Sequence, residues 1–477
     1  MRYGDDRRQV VLYELNEVPW EIIDLFIAQR PSSNVASLVH GGRCQTTRNE
    51  DPNHLSPWRT WPTFHKARYS DHHNCFELGQ DPSTFRGLNL WDVAEEEGLK
   101  VGLFGVLQSW PPRPFANGGF YVPDTFSPTP EAEPASLRRF QGFNLDMTRR
   151  MAFSPDVRLH PGRILLAGVD IALKGLTPWS GWWAARQLLR ERRDERYKAC
   201  RSIVQVLPSF DLYWRLHRRH DPDLSIFFTN HVAGMMHRFW GDLVPRYAEQ
   251  NDYRPDEVFK TFVMSAMEVF DHQLGRLMRF ADRNPATLLL IAGSMGQTGI
   301  PYQHIGETYV LEDAQRLSSS LGLDAVVSRL AMYPMQALEL ADEERAEDAR
   351  RLLTSITVAG RPLMTHLRVE GRTLSFAVRM ELEDGEVRRD IEYTTSTATE
   401  PRTGTIGDIG VGTATRLGGG NTAYHSPEGI LITYGDGIPA DGSREQVSIL
   451  DAGPAVLAHL GVADPRKRLT SETAASR

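Results

Sequence analysis

The sequence is poor in cysteine and contains no long apolar run. Its 477 residues include three cysteines, none in a Cys-x-x-Cys spacing, so neither a disulfide framework nor a thiolate zinc site is expected. Apolar runs of about 18 residues, the length that spans a bilayer, do not occur. The first residues, MRYGDDRRQVVLYEL, lack the apolar core of a signal peptide. We therefore expect a cytoplasmic protein with reduced thiols and no transmembrane segment.

An excess of positive charge is also missing. The net charge is -7 and the isoelectric point is near 6.1, which argues against a nucleic-acid partner, because phosphate backbones are bound by clustered Lys and Arg. The Arg-rich run from Arg186 to Arg201 is interleaved with Glu and Asp and is typical of a solvated helix face. With 41% hydrophobic and 24% charged residues, the composition is that of a globular protein with a large core.

Short apolar, β-branched runs indicate the strands of a buried parallel sheet. They are Gln9–Leu15, Lys100–Leu107, Leu224–Thr229 and Thr287–Ala292. Helical patterns alternate with these runs, which predicts an α/β fold with a mostly parallel central sheet flanked by helices. The first, third and fourth runs lead into segments with polar residues, namely Asn16, Asn230 and Ser294. We expect them to face a site, because ligands bind at the carboxyl ends of parallel strands.

The pattern divides the chain into a core and two insertions. The core parts are 1–130, 223–305 and 421–477; a helical insertion spans 131–222, and a small β-rich cap spans 306–420. The helical insertion contains the cluster WSGWW at 179–183. A Trp-rich helix can pack on the core or on a second subunit, or lie on a membrane surface. Packing on the core, or on a second subunit in a homo-oligomer, is the favoured interpretation, and contact with a membrane surface is the alternative kept open.

The stretch LSPWRTWPTFH at 55–65 holds a candidate nucleophile, the Thr60 hydroxyl, beside Arg59. We interpret 43–56 as a loop leading into it. Proline fits the first turn of a helix, so Pro62 predicts that Thr60 lies at a loop-to-helix junction. There, free N–H groups and the helix dipole favour an anionic ligand such as a phosphate ester. The alternative is an ordinary threonine N-cap.

Five parts of the chain together carry a family resemblance. They are Val10–Trp20, Arg59–Pro62, His237–Trp240, Leu288–Gly296, and His425–Ile432 with Ile449–Pro454. In this order they resemble the alkaline phosphatase superfamily, and within it the type I phosphodiesterase/nucleotide pyrophosphatase branch. The resemblance implies an alkaline-phosphatase-like fold and two divalent ions, usually zinc, that activate a Thr or Ser nucleophile. It places Thr60 at the nucleophile position and His237 and His425 at two ligand positions of one metal.

The expected metal-binding carboxylates are absent from this chain. The family's Asp after the first strand is Asn16 here, the Asp four residues before His237 is Ala233, and the Asp-His pair is Ser294-Met295. Two neighbouring cations need anionic ligands to offset their repulsion, so we expect an atypical site without the two-metal centre, and no cofactor. Zinc at His237 and His425 is the alternative. Substitute ligands left open are Glu14, Glu17, His231, His304 and Glu307.

Three functions remain open. The first is a phosphodiesterase- or phosphatase-like hydrolase or transferase that acts, without the usual metals, on an anionic, phosphorylated or nucleotide-activated metabolite. The second is a non-catalytic binding or scaffold protein. The third is a single-metal hydrolase built on His237 and His425 with one substituted carboxylate. The candidate catalytic residues are Thr60, His237, His425 and Arg59, and the candidate substrate-binding residues are Asn16, Asn230, His231, Ser294 and Gln297.

Overall fold

The computed structural model describes most of the chain. The described residues are 7–78, 80–153, 175–304, 306–323, 327–329, 335–379, 387–415 and 418–471. Parts of the predicted helical insertion and of the predicted cap therefore lie outside the described residues.

The strands include all four that the apolar runs predict. In chain order they are β1 Gln9–Leu15, β2 Arg43–Arg48, β3 Val101–Val106, β4 Gly119–Pro123, β5 Leu224–Thr229, β6 Thr287–Ala292, β7 Gly296–Gly299, β8 Glu307–Leu311, β9 Val327–Arg329, β10 Met335–Glu339, β11 Thr357–Val358, β12 Arg361–Pro362, β13 Met364–Glu370, β14 Thr373–Val378, β15 Asp390–Thr395, β16 Ala398–Thr405, β17 Val411–Thr415, β18 Ala423–Ser426, β19 Glu428–Tyr434 and β20 Asp441–Ser448.

Helices alternate with the core strands. They are α1 Trp20–Gln29, α2 Asn34–Gly41, α3 Pro57–Lys66, α4 Ser70–His73, α5 Leu90–Glu96, α6 Arg138–Phe153, α7 Pro178–Arg193, α8 Arg201–His220, α9 His231–Leu243, α10 Pro245–Gln250, α11 Lys260–Arg283, α12 Ala314–Leu321, α13 Glu343–Ser355, α14 Ile449–His459 and α15 Pro465–Thr470. Short 3-10 turns lie at Pro82–Thr84, Ala135–Leu137, Glu195–Cys200 and Ile406–Ile409. Within the described residues, no helix is both long and apolar enough to cross a bilayer.

The central sheet has eight strands in the order β20-β2-β19-β6-β1-β5-β3-β4. All of its neighbouring pairs are parallel except those that β19 makes with β2 and β6. β1 lies between β5 and β6, with Val10 opposite both Leu224 and Leu288. The carboxyl ends of β1, β5 and β6 therefore meet at one edge, which confirms the predicted mostly parallel α/β fold.

Side chains of β1 alternate between two hydrophobic cores. Val11 and Tyr13 pack in the core that contains residues of α1, α2, α8, α9 and α11. Val10 and Leu12 pack in the opposite core, which contains residues of α3, α5 and α14. Because successive residues of a strand point to opposite faces, this alternation buries the central sheet on both sides.

A third hydrophobic core lies within residues 307–415. It joins buried residues of α12 and α13 to those of short antiparallel strands, including Leu338 and Phe376. The strands form the four-stranded sheets β13-β14-β10-β9 and β12-β11-β15-β16 and the pair β17-β8. This part of the chain thus has β-rich structure, as its alternating short apolar runs predict.

The interpretation of 43–56 as one loop was wrong for its first residues. Arg43–Arg48 forms β2, which pairs with β19 and β20 in the central sheet. Its sequence, RCQTTR, has no apolar run. Main-chain hydrogen bonds to two neighbouring strands create this strand, and those partners are distant in sequence.

His217 in α8 gives a pH dependence of stability. It is 1% exposed and stacks on Trp214 at 5.1 Å and 8°, and neither ring nitrogen has a hydrogen-bond partner among the described residues. Burial lowers its pKa from 6.5 to about 4. The folded state therefore keeps the ring neutral at a pH where the unfolded chain binds a proton, so stability falls as the pH drops from 6.5 towards 4.

We expect His217→Phe to raise the free energy of unfolding at about pH 5 by about 2 kcal/mol relative to the wild type, and much less at neutral pH. Phenylalanine keeps the stacking on Trp214 and removes the protonation that favours the unfolded chain. Urea unfolding at both pH values measures this change, with the exposed His72→Gln variant as the control. An equal change at both pH values would contradict the prediction.

Candidate functional site

The site begins at the end of β1, where the backbone takes a left-handed turn. Glu17 follows the strand by two residues and has φ 61°. This conformation is costly for a non-glycine residue and occurs often at functional sites. The Glu17 side chain is nevertheless buried, at 1% exposure. The turn thus places a carboxylate inside the protein at the carboxyl edge of the sheet.

Two histidines from distant parts of the chain contact this carboxylate. His237 lies on α9 and His425 on β18. Their Nε2 atoms are 3.0 and 3.5 Å from Oε2 of Glu17. The three ligating atoms lie within 4.8 Å of one another, the one such group of three or more among the described residues. This geometry fits a single small cation.

The other nitrogen of each ring contacts a main-chain carbonyl. Nδ1 of His237 is 3.1 Å from the oxygen of Ala423, and Nδ1 of His425 is 2.9 Å from that of Leu55. A carbonyl only accepts, so each Nδ1 carries the proton, and in a neutral ring Nε2 presents a lone pair. Towards the Glu17 carboxylate, each Nε2 atom can therefore act as a hydrogen-bond donor in a protonated ring or as a metal ligand in a neutral ring.

The carboxylate is ionised at neutral pH. Burial alone raises the pKa of Glu17, but the charge interactions with His425 and His237, a hydrogen bond with His237 and the hydrogen bond donated by Gln297 lower it to about 2. The pKa of His425 lies below its usual value, chiefly because the ring is buried. Glu17 therefore supplies a negative charge, while burial disfavours a proton as the matching positive charge on His425.

Amide side chains hold the carboxylate in place. Asn16 Nδ2 donates to Oε1 of Glu17 at 2.7 Å and to Oδ1 of Asn230 at 2.7 Å. Gln297 Nε2 donates to Oε2 of Glu17, and the indole of Trp61 donates to Oδ1 of Asn16 at 2.8 Å. Such outer hydrogen bonds orient ligating groups at metal sites. In the structure, Asn16, Asn230 and Gln297 thus belong to the hydrogen-bond network of Glu17. The sequence predicts them to be substrate-binding residues.

Thr60 and Ser294 form a separate buried pair. Their hydroxyl oxygens are 2.7 Å apart, and both residues are 0% exposed. α3 begins at Pro57 with Ser56 as its N-cap, so Thr60 lies inside the first turn and its N–H is bonded to the oxygen of Ser56 at 2.9 Å. The interpretation of Pro62 as a first-turn residue was wrong, and Thr60 offers no free N–H to an anion.

Two further candidates lie apart from the Glu17 carboxylate. The Arg59 guanidinium bonds to the main-chain oxygens of His54 and Phe76 and to Glu77, so it stabilises the loops on either side of α3 and α4. His231 is buried against α11, with Nδ1 2.6 Å from Thr229 Oγ1 and Nε2 3.1 Å from Ala266 O. Burial lowers its pKa to about 4. Both side chains thus make structural contacts with neighbouring residues.

The opening of the site lies on the histidine side. His237 is the most exposed of the three cluster residues, with 23% of its side chain accessible, against 10% for His425 and 2% for Glu17. Tyr424, 37% exposed, stacks on His425 with ring centroids 4.3 Å apart. The His54 ring lies 6.1 Å from that of Tyr424. A ligand can therefore reach the cluster past histidine and tyrosine rings.

Glu17 is the functional residue to which the sequence gave too little weight. It appeared only among five substitute ligands, because the resemblance directed attention to position 16. The other four take different partners: Glu14 bonds to His65 at 2.6 Å, His304 to Tyr302 at 3.0 Å, Glu307 pairs with Arg389 at 3.8 Å, and His231 lies in the core. The sequence does contain a signal for this ligand, because Glu17 is a carboxylate that directly follows Asn16 in the turn after the first strand.

Comparisons with known proteins give a structural likeness alone. No protein-family model matches the sequence, and no curated protein matches it either. Among solved structures, murine ectonucleotide pyrophosphatase/phosphodiesterase 5, in an inactive form in complex with AMP, shows a TM-score of 0.40 and 10% identity over 96% of each chain. The human protein of the same name shows 0.41 and 10% over 96% of each chain. Phosphonoacetate hydrolase from Sinorhizobium meliloti 1021, in complex with phosphonoformate, shows 0.42 and 12%, covering 96% of this chain and 97% of that one.

Proposed function

We propose that this chain is a hydrolase of phosphate esters of small anionic molecules, with one divalent cation bound by Glu17, His237 and His425. The observation that carries the proposal is the direction of the two imidazoles. Both rings have Nδ1 at a carbonyl and Nε2 at the same buried carboxylate. A divalent cation between the three groups would be bound by both Nε2 lone pairs and by the carboxylate.

The donor set fits the metal. Two histidines and one carboxylate, with further coordination positions open, form the ligand set of catalytic zinc sites. Ligating histidines usually donate their other N–H to a carbonyl or carboxylate, as both rings do here. The proposed site thus combines the two histidines that the sequence resemblance places at one metal with a carboxylate, Glu17, that the resemblance does not assign to that metal.

The resemblance of five sequence stretches to phosphodiesterases supports the choice of phosphate esters. A bound divalent cation would act as a Lewis acid that stabilises the negative charge developing on the phosphoryl group. Glu17 keeps its charge and position through Asn16 and Gln297. The main-chain contacts fix the two imidazole rings. Because Thr60 is fully buried, water from the exposed side is the attacking group, which makes the reaction a hydrolysis.

A non-catalytic binding protein is the second candidate function. The full burial of Thr60 and Ser294 favours it, because a hydroxyl without accessible surface cannot attack a substrate. In that case the cation and the exposed Tyr424 would serve only to hold an anionic ligand. Turnover separates the two candidates, since both predict metal binding.

Metal content and turnover test the proposal together. The purified protein, dialysed against zinc or manganese and analysed by elemental mass spectrometry, should hold about one equivalent of metal per chain. It should hydrolyse p-nitrophenyl phosphate or its bis ester, lose that activity on chelation, and regain it when metal is returned. Metal binding without turnover would leave the binding protein as the function. Activity that survives complete removal of the metal would overturn the metal site itself.

Thr60→Ala separates attack by water from attack by threonine. We expect kcat to fall by less than about tenfold, because the change removes one neutral hydrogen bond to Ser294, worth about 1 kcal/mol. The assay uses bis-p-nitrophenyl phosphate with the metal-loaded protein. Ser294→Ala removes the same hydrogen bond from the other side and should have a similar effect. A loss of about a thousandfold in Thr60→Ala alone would instead identify Thr60 as the nucleophile.

A further inference from the structure

Large apolar side chains are exposed on one helix. Four large hydrophobic residues are exposed among the described residues, and three of them, Trp182, Leu188 and Leu189, belong to α7. Their exposed fractions are 55, 61 and 55%. Trp182 and Leu189 are seven residues apart and so share one face of the helix. Concentrated apolar exposure of this kind marks an interaction site.

The exposure does not arise from a loosely packed helix. The opposite face of α7 buries Ser180, Trp183 and Gln187. Trp179 stacks on His272 of α11 with ring centroids 3.6 Å apart and planes 5° apart. Thr177 caps the helix. α7 is therefore anchored on one side and presents its apolar residues on the other.

Arginines surround the exposed apolar residues. Arg192 and Arg193 are exposed at the end of α7, and the Arg186 guanidinium lies 5.2 Å from the Trp182 ring centroid. The stretch from Arg186 to Arg201 contains seven Lys and Arg against three Asp and Glu, in a chain whose net charge is -7. The positive charge is thus concentrated beside the exposed tryptophan and leucines.

We propose that the exposed face of α7, formed by Trp182, Leu188, Leu189, Arg192 and Arg193, binds the surface of an anionic membrane. Tryptophan and leucine side chains gain free energy by entering the boundary between lipid headgroups and acyl chains, and arginines remain at the level of the phosphates. Each arginine near an anionic leaflet adds about 1 kcal/mol of attraction. The charge complementarity favours an anionic bilayer, and the anchored helix would lie flat on it.

Flotation with lipid vesicles tests this surface. The full-length protein is mixed with vesicles of phosphatidylcholine alone, or of phosphatidylcholine with about a third phosphatidylserine. We expect binding to the anionic vesicles and at least about tenfold weaker binding to the neutral ones. Failure of the wild-type protein to bind either kind of vesicle would overturn the proposal.

Two variants and a matched control locate the contact. Trp182→Ser with Leu188→Ser and Leu189→Ser removes the apolar contribution, and Arg192→Gln with Arg193→Gln removes two charges. Each variant should weaken binding to anionic vesicles by about tenfold or more. Arg345→Gln with Arg351→Gln, two exposed arginines of α13, removes the same charge elsewhere and should bind like the wild type.

Folding and oligomeric state complete the test. Exposed substitutions change stability little, so the thermal midpoint and phosphate-ester turnover of all three variants should match those of the wild type. Vesicle binding that persists in both α7 variants would overturn the proposal. So would light scattering that shows a wild-type dimer converted to a monomer by the triple serine variant, because the face would then bind a second copy of the chain.

Discussion

The Glu17→Gln variant is expected not to bind the proposed divalent cation and to lose at least about a hundredfold in kcat/KM for a phosphate ester. Glutamine has nearly the same shape as glutamate and fits the same space, although its amide nitrogen replaces one of the two oxygens that accept from Asn16 and Gln297. The change removes the one negative charge of the Glu17, His237 and His425 cluster. Elemental analysis of the dialysed variant measures the metal, and steady-state kinetics with added metal measure the activity.

Glu21→Gln is the matched control for this variant. Glu21 lies in the first turn of α1, four residues further along the chain, and forms an ion pair with Arg246 at 2.8 Å with 30% of its side chain exposed. Ion pairs exposed in this way contribute little, so metal content and kcat/KM should match the wild type. If Glu17→Gln retained both metal and activity, the carboxylate would not be a ligand and the proposed site would be wrong.

Asp211→Asn is expected to lower the free energy of unfolding by about 3 kcal/mol. Asp211, on α8, is 4% exposed. Its carboxylate oxygens accept hydrogen bonds from Thr177, Ser180 and Arg276, with donor-to-acceptor distances between 2.6 and 2.9 Å. Asparagine leaves the Arg276 guanidinium without its matching charge and replaces one acceptor oxygen by a donor. The network that ties α7 to α8 and α11 is therefore broken at its centre.

Denaturant unfolding at neutral pH measures this loss. Asp348→Asn is the control, because Asp348 pairs with Arg351 within the exposed helix α13, with 36 and 67% of the two side chains accessible. That change should cost less than about 1 kcal/mol. A similar small effect for both variants would show that the Asp211 network adds little to the docking of α7.

The core of the fold could be predicted because local sequence carries its signal. Each run of β1, β3, β5 and β6 is apolar and β-branched, since a parallel strand is buried on both faces. Helical periodicity between these runs then restricts the sheet to a mostly parallel arrangement. The two strands at the β20 end of the sheet are different. β2 and β20 contain many polar residues, and their neighbours in the sheet, not their composition, make them strands.

At the site, the sequence was enough to identify His237 and His425, but it left Glu17 as one of five alternative ligands. Identifying Glu17 needs its positive φ, which depends on how the turn after β1 packs. The same holds for Thr60. Its hydroxyl has the residue type and motif of a nucleophile, but burial against Ser294 is a tertiary property.

The sequence by itself determined the α/β architecture, the order of its parallel strands along the chain, and the two candidate histidines, His237 and His425. These depend on hydrophobic periodicity and residue type, which are properties of short segments. Tertiary structure alone decided that Glu17 faces both histidines, that Arg59 and His231 are engaged elsewhere, and that the tryptophan and leucines of α7 are exposed. The physical reason is that burial, charge pairing and side-chain direction arise from residues that are hundreds of positions apart in the chain.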